Sequence, residues 1–397
     1  MRPFAEIVFW AAVALLVYAY AGYPLLLAAI ALLFPPRRAP EMSDDELPTV
    51  TLLITARNEA AGIGAKLERS LALDYPADKL EILVASDAST DATDEIVAGV
   101  AAREKRVRLV RVRERRGKTH AQNVAVQEAR GEIIVFSDAT AVYDRGAIRA
   151  LAREFRDERV GAASGRLIFV DPLRGSAAKA SPTGAGSAAF WSYEVWIRRL
   201  QWRVRTLTAA TGAIYAVRRK AYAPLPESKS SDIAEPLWLV RNGWRVAFAS
   251  GALAYEDTTV TARQEFRMRV RVIVGGILGV LSAPELLRPW RWPWASFQLF
   301  SHKIARWLVG WALLALLAAN LGLIGQWPFR WTLAAQLAFY LSALAAVHWP
   351  LHRLWRPLGI PAYFCTLNAA AVVASVEILR GRDYATWTPV RRLGSSD

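Results

Sequence analysis

The sequence predicts an α/β domain with a mostly parallel sheet, flanked by transmembrane helices. The 397-residue chain is 54% hydrophobic, yet it carries 50 Lys+Arg against 35 Asp+Glu and a formal net charge of +15. The apolar residues are concentrated near the two ends of the chain, and the middle alternates short β-branched runs with helical segments. This hydrophobicity excludes disorder for most of the chain, and ordinary Gly and Pro usage excludes a collagen-like architecture.

The chain begins with a predicted transmembrane helix, assigned to residues 1–38. Ile7 to Phe34 contains no charged residue and is long enough to cross a bilayer. The run ends in Pro35-Pro36-Arg37-Arg38, which is typical of a cytoplasmic boundary. A cleaved signal peptide is the alternative, because Ala19-Tyr20-Ala21 resembles a cleavage site. The apolar run continues well past that point, which favours a membrane span.

Residues 39–265 are predicted to form the α/β domain. Four β-branched runs are expected to be buried parallel strands, at Thr49–Ala56, Leu80–Ser86, Val107–Val112 and Ile133–Ser137. Helical segments are expected between them, at Ala60–Leu73, Asp91–Arg103 and Thr119–Arg130. This alternation indicates βαβ units, in which ligands bind at the carboxyl ends of the strands.

Polar residues follow these predicted strands. The first strand ends in Arg57-Asn58-Glu59, the second in Asp87 and the fourth in Asp138, and Gly117-Lys118 opens the helix after the third. Helix N-termini and a lysine suit phosphate groups, and carboxylates suit a hard metal or ribose hydroxyls. Each residue alone is equally consistent with an ordinary cap or turn. The joint pattern predicts a site for a phosphorylated ligand.

The chain becomes apolar again after the domain. Two segments in residues 266–303, Arg271–Leu287 and Arg288–Lys303, are too polar or too short to span and are expected to be interfacial amphipathic helices. Residues 304–397 hold two or three further spans and a tail, with candidates at Ile304–Ile324, Trp331–His348 and Ile360–Leu379. Tryptophans near their ends form the expected interfacial belt. They include Trp290, Trp292, Trp294, Trp307, Trp311, Trp327, Trp331, Trp349 and Trp355.

Charge predicts the orientation in a bacterial-type inner membrane. Arg37 and Arg38 place the α/β domain of this multi-pass protein in the cytoplasm. Two observations disagree on the side of the C-terminus. Three further spans put it outside, whereas Arg380, Arg382, Arg391 and Arg392 favour the inside. Ile360–Leu379 contains Asn368 and Glu377 and is the weakest span, so an interfacial position is the alternative for it.

The stretch from Pro48 to Gly276 resembles the membrane-bound family 2 glycosyltransferases, which include cellulose synthase-like and poly-N-acetylglucosamine synthase-like enzymes. Seven stretches carry the resemblance, in order and spacing. They are TARNEA (55–60), ASDASTD (85–91), RRGKTHAQNVAVQEARGEIIVFSDAT (115–140), VGAASGRL (160–167), TGAIYAVRR (211–219), SSDIAEPLWLVRNGWRVAF (230–248) and QEFRMRVRVIVGG (264–276). The resemblance implies the Rossmann-like GT-A fold for the cytoplasmic domain.

The resemblance also implies roles for particular residues. On the donor side, Asp87 resembles the carboxylate that holds the nucleotide base or ribose. Lys118 resembles the basic residue near the donor diphosphate, and Asp138 resembles the first Asp of the metal-binding DxD motif. Arg57 and Glu59 belong to the loop beside the nucleoside. On the acceptor side, Asp232 resembles the general base, and Gly212, Arg269 and Arg271 lie in segments that face the acceptor.

These roles suit an inverting transfer from a nucleotide-sugar, with Mg²⁺ or Mn²⁺ as the implied cofactor. Two departures weaken parts of the resemblance. The DxD motif reads Asp138-Ala139-Thr140, so the second carboxylate is missing and metal dependence is open. The QxxRW motif is interpreted at Met268–Val272, where only Arg271 remains, so processivity is open. A basic interfacial helix explains Arg269 and Arg271 equally well.

The leading hypothesis is therefore transfer of a sugar to a glycan or lipid acceptor in exopolysaccharide or cell-envelope synthesis, with export proteins as further partners. Single transfer to a polyprenyl phosphate or another lipid is an alternative, and a non-catalytic membrane scaffold is another.

Nucleic acid is not expected as a partner, because the basic run Arg103–Lys118 has no aromatic residues for base stacking. An anionic bilayer surface is the better partner for that run. Cys365 is the single cysteine, which excludes disulfides and Cys-based zinc sites.

Overall fold

The computed structural model describes residues 2–170, 184–227, 229–257, 262–349 and 359–382. Within these residues, eight strands form a single sheet. Their bounds are β1 Val50–Ala56, β2 Leu80–Asp87, β3 Val107–Val112, β4 Ile133–Asp138, β5 Val142–Tyr143, β6 Val160–Val170, β7 Ile214–Arg218 and β8 Arg245–Asp257. The first four strands match the predicted runs to within one residue at each end.

Helices surround this sheet and extend away from it. Those of the α/β domain are α2 Ile63–Leu71, α3 Thr93–Ala101, α4 Lys118–Glu128, α5 Ala147–Glu154, α6 Gly184–Val204 and α7 Ser231–Arg241. The others are α1 Arg2–Leu32, α8 Ala262–Leu281, α9 Pro293–Gly322, α10 Trp327–His348 and α11 Gly359–Leu379.

The sheet order is β3-β2-β1-β4-β7-β6-β8-β5, and the sheet is mixed. Strands β3, β2, β1 and β4 run parallel, whereas β7 lies antiparallel between β4 and β6. The register pairs Thr55 with Asp138 and Ala56 with Ser86, so the carboxyl ends of β1, β2 and β4 are level. The mostly parallel prediction therefore holds for the first half of the domain, the half that carries the predicted ligand residues.

The core lies on both faces of this parallel half. Leu52, Leu53 and Ile54 are consecutive in β1 and fully buried, so both faces of the strand are covered by helices. Burial of each such side chain contributes about 1.5–3 kcal/mol relative to exposure. The helices begin two or three residues later than predicted after β1 and β2, because the residues that follow these strands are bonded to one another across the gap between the strands.

Within the part of the chain that the structure describes, four helices are long and apolar enough to cross a membrane: α1, α9, α10 and α11. Two of them contain a π-helical turn, at Tyr18–Gly22 of α1 and at Leu299–Ile304 of α9. The two turns meet, and the Tyr18 hydroxyl lies 2.6 Å from the Ser301 hydroxyl. At the far end of α1, the Gln326 side chain donates to Glu6 over 3.0 Å. Helices α1 and α9 are therefore antiparallel neighbours.

The structure differs from the expectation for Arg288–Lys303. This segment is not a separate interfacial helix, because a single helix runs from Pro293 through the π turn to Gly322. Its polar side chains Ser296, Gln298 and His302 are buried, and Gln298 donates to the Thr206 carbonyl over 2.7 Å. The sequence looks amphipathic because one side of this helix faces the α/β domain rather than water.

Helix α8 joins the domain to the remaining helices. A Cβ added at Gly279 would lie 2.7 Å from the Ile233 side chain of α7, which shows how closely α8 approaches the domain. Its other side packs on α11, where Val270 and Val274 join Ala370 and Ala374 in a small apolar cluster. Helix α11 also meets α6, because a Cβ at Gly186 would lie 2.5 Å from the Gly359 carbonyl.

Candidate active site

A pocket opens at the level carboxyl ends of β1, β2 and β4, and we call it the donor pocket. It is lined by Thr55, Ala56, Arg57, Glu59, Asp87, Arg115, Gly117, Lys118, Asp138, Ala139 and Thr140. The structure thus brings together all five residues that the sequence predicts on the donor side. The parallel register explains this convergence. Strands β1, β2 and β4 end at the same level, so the residues that follow them lie at the same edge of the sheet.

The loop after β1 and the turn after β2 are tied together. Arg57 donates to the carbonyls of Asp87 and Ala88, over 2.7 and 3.0 Å. The Asn58 side chain accepts from the Thr90 backbone over 2.8 Å. Asn58 and Ala88 both adopt a left-handed φ of 51°, which is strained for Ala88. Arg57 therefore shapes the wall of the donor pocket by holding this turn in place.

Asp87 lies at the base of the pocket and is 4% exposed. Its Oδ1 accepts from the Arg116 backbone N–H over 3.3 Å. Gly117 follows with a φ of 99°, a conformation that glycine adopts without strain, and it turns the chain into α4. This geometry leaves a carboxylate and a helix N-terminus on the same wall.

Lys118, in the first turn of α4, connects the two sides of the site. Its ammonium forms an ion pair with Asp138 at the end of β4 and donates to the Gly212 carbonyl over 3.4 Å. Burial lowers the pKa of Lys118, but the carboxylates of Asp138, Asp232 and Glu256 together outweigh burial, so the net shift of this pKa is upward. Lys118 is therefore held as a cation between the DxD-like segment and the loop before β7.

A carboxylate that the sequence analysis missed lies beside Asp138. Glu256, near the end of β8, accepts from the Thr140 hydroxyl over 3.4 Å. Burial and the Asp138 charge raise the pKa of Glu256 to about 7, against the opposing effects of Lys118 and Lys66. Thr140 occupies the DxD position that lacks a carboxylate, so a second acidic group reaches this region from another strand. The strand-end pattern, applied to the Tyr255-Glu256-Asp257 segment, would have found it.

Lys66 is a second missed residue, buried beneath the DxD-like turn. Its ammonium donates to the Ser137 hydroxyl over 2.7 Å and to the Ala141 carbonyl over 2.5 Å. Burial lowers the pKa of Lys66 to about 7, and the charges of Asp138 and Glu256 oppose this shift. Lys66 thus bonds to residues on both sides of Asp138, and it is not among the residues that line the donor pocket.

Asp232, the predicted base, opens helix α7 on the other side of Lys118. The Ser230 hydroxyl donates to its Oδ1, and its backbone carbonyl accepts from the Ala210 N–H over 2.7 Å. A Cβ added at Gly212 would lie only 3.4 Å from Asp232 Oδ2, so the glycine keeps space open beside the carboxylate. Gly212 and Asp232 are therefore adjacent, as the acceptor-side hypothesis expects.

The two predicted arginines of α8 lie in different places. Arg271 interacts electrostatically with Asp138 and Asp232, and burial lowers its pKa. Arg269 instead forms a buried ion pair of 2.8 Å with Glu265 and lies over the Tyr363 ring of α11. The structure thus directs Arg271 toward the site and uses Arg269 in packing α8 against α11.

The QxxRW interpretation also needs a correction of register. Gln264 and Arg267 have the spacing of the Gln and Arg in that motif, with Met268 in the Trp position. The first-turn sequence of α8 therefore retains more of the motif than the interpretation at Met268–Val272 allowed. Only the tryptophan is replaced.

The residues present fit a divalent cation that takes most of its ligands from a bound diphosphate. Within the described residues, no group of three or more His, Cys, Asp or Glu side chains converges on one point. Asp138 offers a hard carboxylate oxygen at the pocket, and Glu256 lies behind it. Mg²⁺ at phosphate sites commonly uses one or two carboxylates with phosphate and water oxygens.

The fold and the site define a GT-A-type glycosyltransferase domain. Residues 51–225 match the model of Glycosyl transferase family 2.

Two curated relatives and one solved structure resemble the chain. A beta-monoglucosyldiacylglycerol synthase of Trichormus variabilis is 27% identical over 64% of this chain and 54% of its own length. A poly-beta-1,6-N-acetyl-D-glucosamine synthase of Staphylococcus aureus is 25% identical over 60% of this chain and 57% of its own length. The chain thus spans little more than half the length of these relatives. A mannosyltransferase of Pyrobaculum calidifontis, solved with GDP-Man and Mn²⁺, has a TM-score of 0.71 at 25% identity and covers 94% of this chain and 99% of its own.

Proposed function

We propose that this protein is a membrane-bound inverting glycosyltransferase that moves a sugar from a nucleotide-sugar to an acceptor hydroxyl at the membrane face. One observation carries the proposal. Lys118 lines a pocket suited to a nucleoside diphosphate and interacts electrostatically with the carboxylate of Asp232, which also interacts with Lys303 of the membrane helix α9. The relatives that make a glycolipid or a polysaccharide, and the solved mannosyltransferase, support the same reaction class.

The chain's own residues suit a single displacement. The acceptor oxygen attacks the anomeric carbon as the bond from that carbon to the diphosphate oxygen breaks, and the diphosphate leaves with the bonding electron pair. Asp232 takes the proton of the acceptor hydroxyl. Lys118 stabilises the negative charge that develops on the diphosphate, because its ammonium already lies at the pocket wall. Attack opposite the leaving group inverts the anomeric centre.

A divalent cation, Mg²⁺ or Mn²⁺, would be held by Asp138 together with the donor phosphates. When bound, it would neutralise charge on the leaving diphosphate. Asp87 and Glu59 would hold the nucleoside, because they line the pocket on the side of β1 and β2.

We propose a cytoplasmic position for the α/β domain in a plasma membrane. The pairing of Gln326 with Glu6 supports a common side for the start of α1 and the turn between α9 and α10. Helix α11 packs on α8 and α6, both of which contact the domain, as well as on α9 and α10. Its contacts with α8 and α6 are the basis for proposing an interfacial position rather than a crossing. The C-terminal arginines then remain cytoplasmic, in agreement with the positive-inside rule.

Labelling of introduced cysteines tests this topology. In a Cys365→Ala background, a cysteine at Arg382 should react with an impermeant thiol reagent only in inside-out vesicles. A cysteine at Gly325, in the turn after α9, should react only from the opposite side and serves as the control. Reaction of both cysteines from the same side would show that α11 crosses the membrane.

Membranes that contain the protein should be incubated with a panel of labelled nucleotide-sugars to test the reaction. We expect label in a lipid or glycan product with at least one donor, and loss of that product on Asp138→Ala. Absence of transfer with every donor would favour the non-catalytic scaffold.

Polymer synthesis is the second candidate, favoured by the retained Gln264 and Arg267 and by the polysaccharide-synthase relative. An export partner would then be needed. The replaced tryptophan, Met268, favours single transfer. Chloroform-soluble label without high-mass product would refute polymerisation.

A further inference from the structure

Two cations flank Asp232 on the membrane side, and the reaction described above does not use them. Arg198 of α6 donates to the Thr211 hydroxyl over 2.6 Å, next to Gly212. Lys303 lies in the π turn of α9 and interacts electrostatically with Asp232, Glu194 and Arg198. We call Arg198 and Lys303 the cation pair.

The cation pair lacks a carboxylate partner of its own. Glu194, the other acidic group nearby, already forms an ion pair with Arg306 and lies within hydrogen-bond distance, 3.2 Å, of His302 Nε2. Among the described residues, Arg198 makes hydrogen bonds only with hydroxyl groups, and Lys303 makes neither a hydrogen bond nor an ion pair. Burial lowers the pKa of Arg198, and the charges of Glu194 and Asp232 oppose this shift. Partly buried cations that lack a counter-ion are suited to bind an anion.

The location identifies the source of the anion. Lys303 is ten residues after Pro293, the first residue of the long membrane helix α9, or about 15 Å along its axis. Gly310 and Leu314 lie about two and three turns further along the same helix. They line an apolar groove of about 550 Å³ between α9, α10 and α11. A single lipid can occupy both places, with its anionic headgroup beside Lys303 and a hydrocarbon chain in this groove.

Resting on the proposed glycosyl transfer, we propose that the acceptor is an anionic lipid with a phosphate group and a free hydroxyl. Arg198 and Lys303 hold the phosphate, and the hydroxyl lies at Asp232. The hydroxyl is required because a base at this position needs a proton to remove, whereas an ionised phosphate oxygen has none to give. The product keeps its phosphate and gains a sugar through an ordinary glycosidic bond.

Fractionation of the labelled product tests this assignment. Membranes with the full-length protein are incubated with the labelled donor panel, and the chloroform extract is passed over an anion exchanger. We expect the label to be retained by the exchanger and to survive mild acid, because a glycoside of a hydroxyl is stable where a glycosyl phosphate is cleaved. Label in the neutral lipid fraction or in polymer would refute the inference. Label in the aqueous phase as a sugar phosphate would show a soluble phosphate acceptor and would also refute it.

Release of the label by mild acid would show that the sugar is transferred to the phosphate itself, and it would refute transfer to a hydroxyl. These results would leave the glycosyltransferase proposal intact. No label in any fraction with any donor would instead refute the proposed function and this inference with it.

Charge variants test the cation pair directly. Arg198→Gln and Lys303→Gln should each lower the anionic lipid product about tenfold or more, through a higher KM for the lipid. Binding of the nucleoside diphosphate should persist in both and shows that they are folded. Lys303→Arg should restore most of the product. Arg199→Gln, an exposed neighbour on the same helix, is the matched control and should behave as the unaltered protein. Equal product from Arg198→Gln and Arg199→Gln would refute the cation pair.

Discussion

The donor pocket and the cation pair are built from differently spaced parts of the chain. The pocket uses residues that directly follow consecutive parallel strands, so its parts are close in sequence and in the sheet. The cation pair joins α6 to α9, and it takes its position from helices that pack on the domain from outside. The edge of the sheet thus positions the donor site, whereas helix packing at the membrane positions the acceptor site. Substitutions in the donor pocket should therefore affect donor binding, and substitutions near the cation pair should affect use of the acceptor.

Asp232→Asn should produce the largest separation. Loss of a positioned base is expected to lower kcat about 10²–10⁴-fold, with the donor Kd unchanged, because Asp232 lies outside the donor pocket. Single-turnover transfer and donor binding measure the two effects. Asp45→Asn, in an exposed loop, is the control. If Asp232→Asn also lowered donor affinity, Asp232 would contribute to donor binding, and the two sites would not be separate.

Glu194→Ala should destabilise the membrane side by about 3–5 kcal/mol, because it leaves the buried Arg306 without its carboxylate. Thermal inactivation in detergent measures the effect. We expect no comparable loss for Glu46→Ala, which removes an exposed ion pair with Arg156. Normal stability of Glu194→Ala would mean that the helices do not depend on this network.

Lys118→Met should weaken donor binding about 10–100-fold, because a charge-assisted contact to the diphosphate is lost and Asp138 is left unpaired. Titration with nucleoside diphosphate measures the loss. Lys105→Met, which alters an exposed lysine of the same basic stretch, should bind normally. Unchanged affinity in Lys118→Met would exclude Lys118 from the diphosphate site.

Glu235→Gln should leave donor binding and acceptor use unchanged and should alter only the pH dependence of stability. Burial raises the pKa of Glu235 from 4.5 to about 8, so the folded protein keeps a proton that the unfolded chain releases in this interval. The free energy of unfolding therefore falls between pH 4.5 and 8, by up to about 1.4 kcal/mol per pH unit from this group. Glu235→Gln should remove this slope in denaturation measured at pH 5 and pH 8. If the free energy of unfolding of the variant showed the same dependence on pH, that dependence would come from another titratable group.

The sequence predicted which residues gather at one pocket, because strand periodicity and strand ends are local. The β1, β2 and β4 patterns located Asp87 and Asp138, and parallel pairing required them to meet. The starts of α2 and α3 were misplaced because Asn58 bonds to Thr90 across two loops. Such a contact joins segments about thirty residues apart and leaves no periodic trace.

The membrane side was less predictable for the same physical reason. Arg198 and Lys303 look like ordinary basic residues of amphipathic segments, and only the packing of α6 on α9 brings them to Asp232. The roles of Arg269 and Arg271 depend on which face of α8 meets α11, and the sequence left both faces open. Glu256 was missed although it lies at a strand end, because the strand-end argument was applied only to the first four strands.

The π turn in α9 has a further consequence for how insertions and deletions are tolerated. A π turn holds one residue more than an α turn, so it offsets the two flanking helical segments by about 100°. With this offset, Gln298 reaches the Thr206 carbonyl while Arg306 reaches Glu194. Deletion of one residue from Leu299–Ile304 would straighten the helix and separate these two anchors around its axis. The count of residues in this turn, more than their identity, therefore sets the alignment of the membrane helix with the catalytic domain.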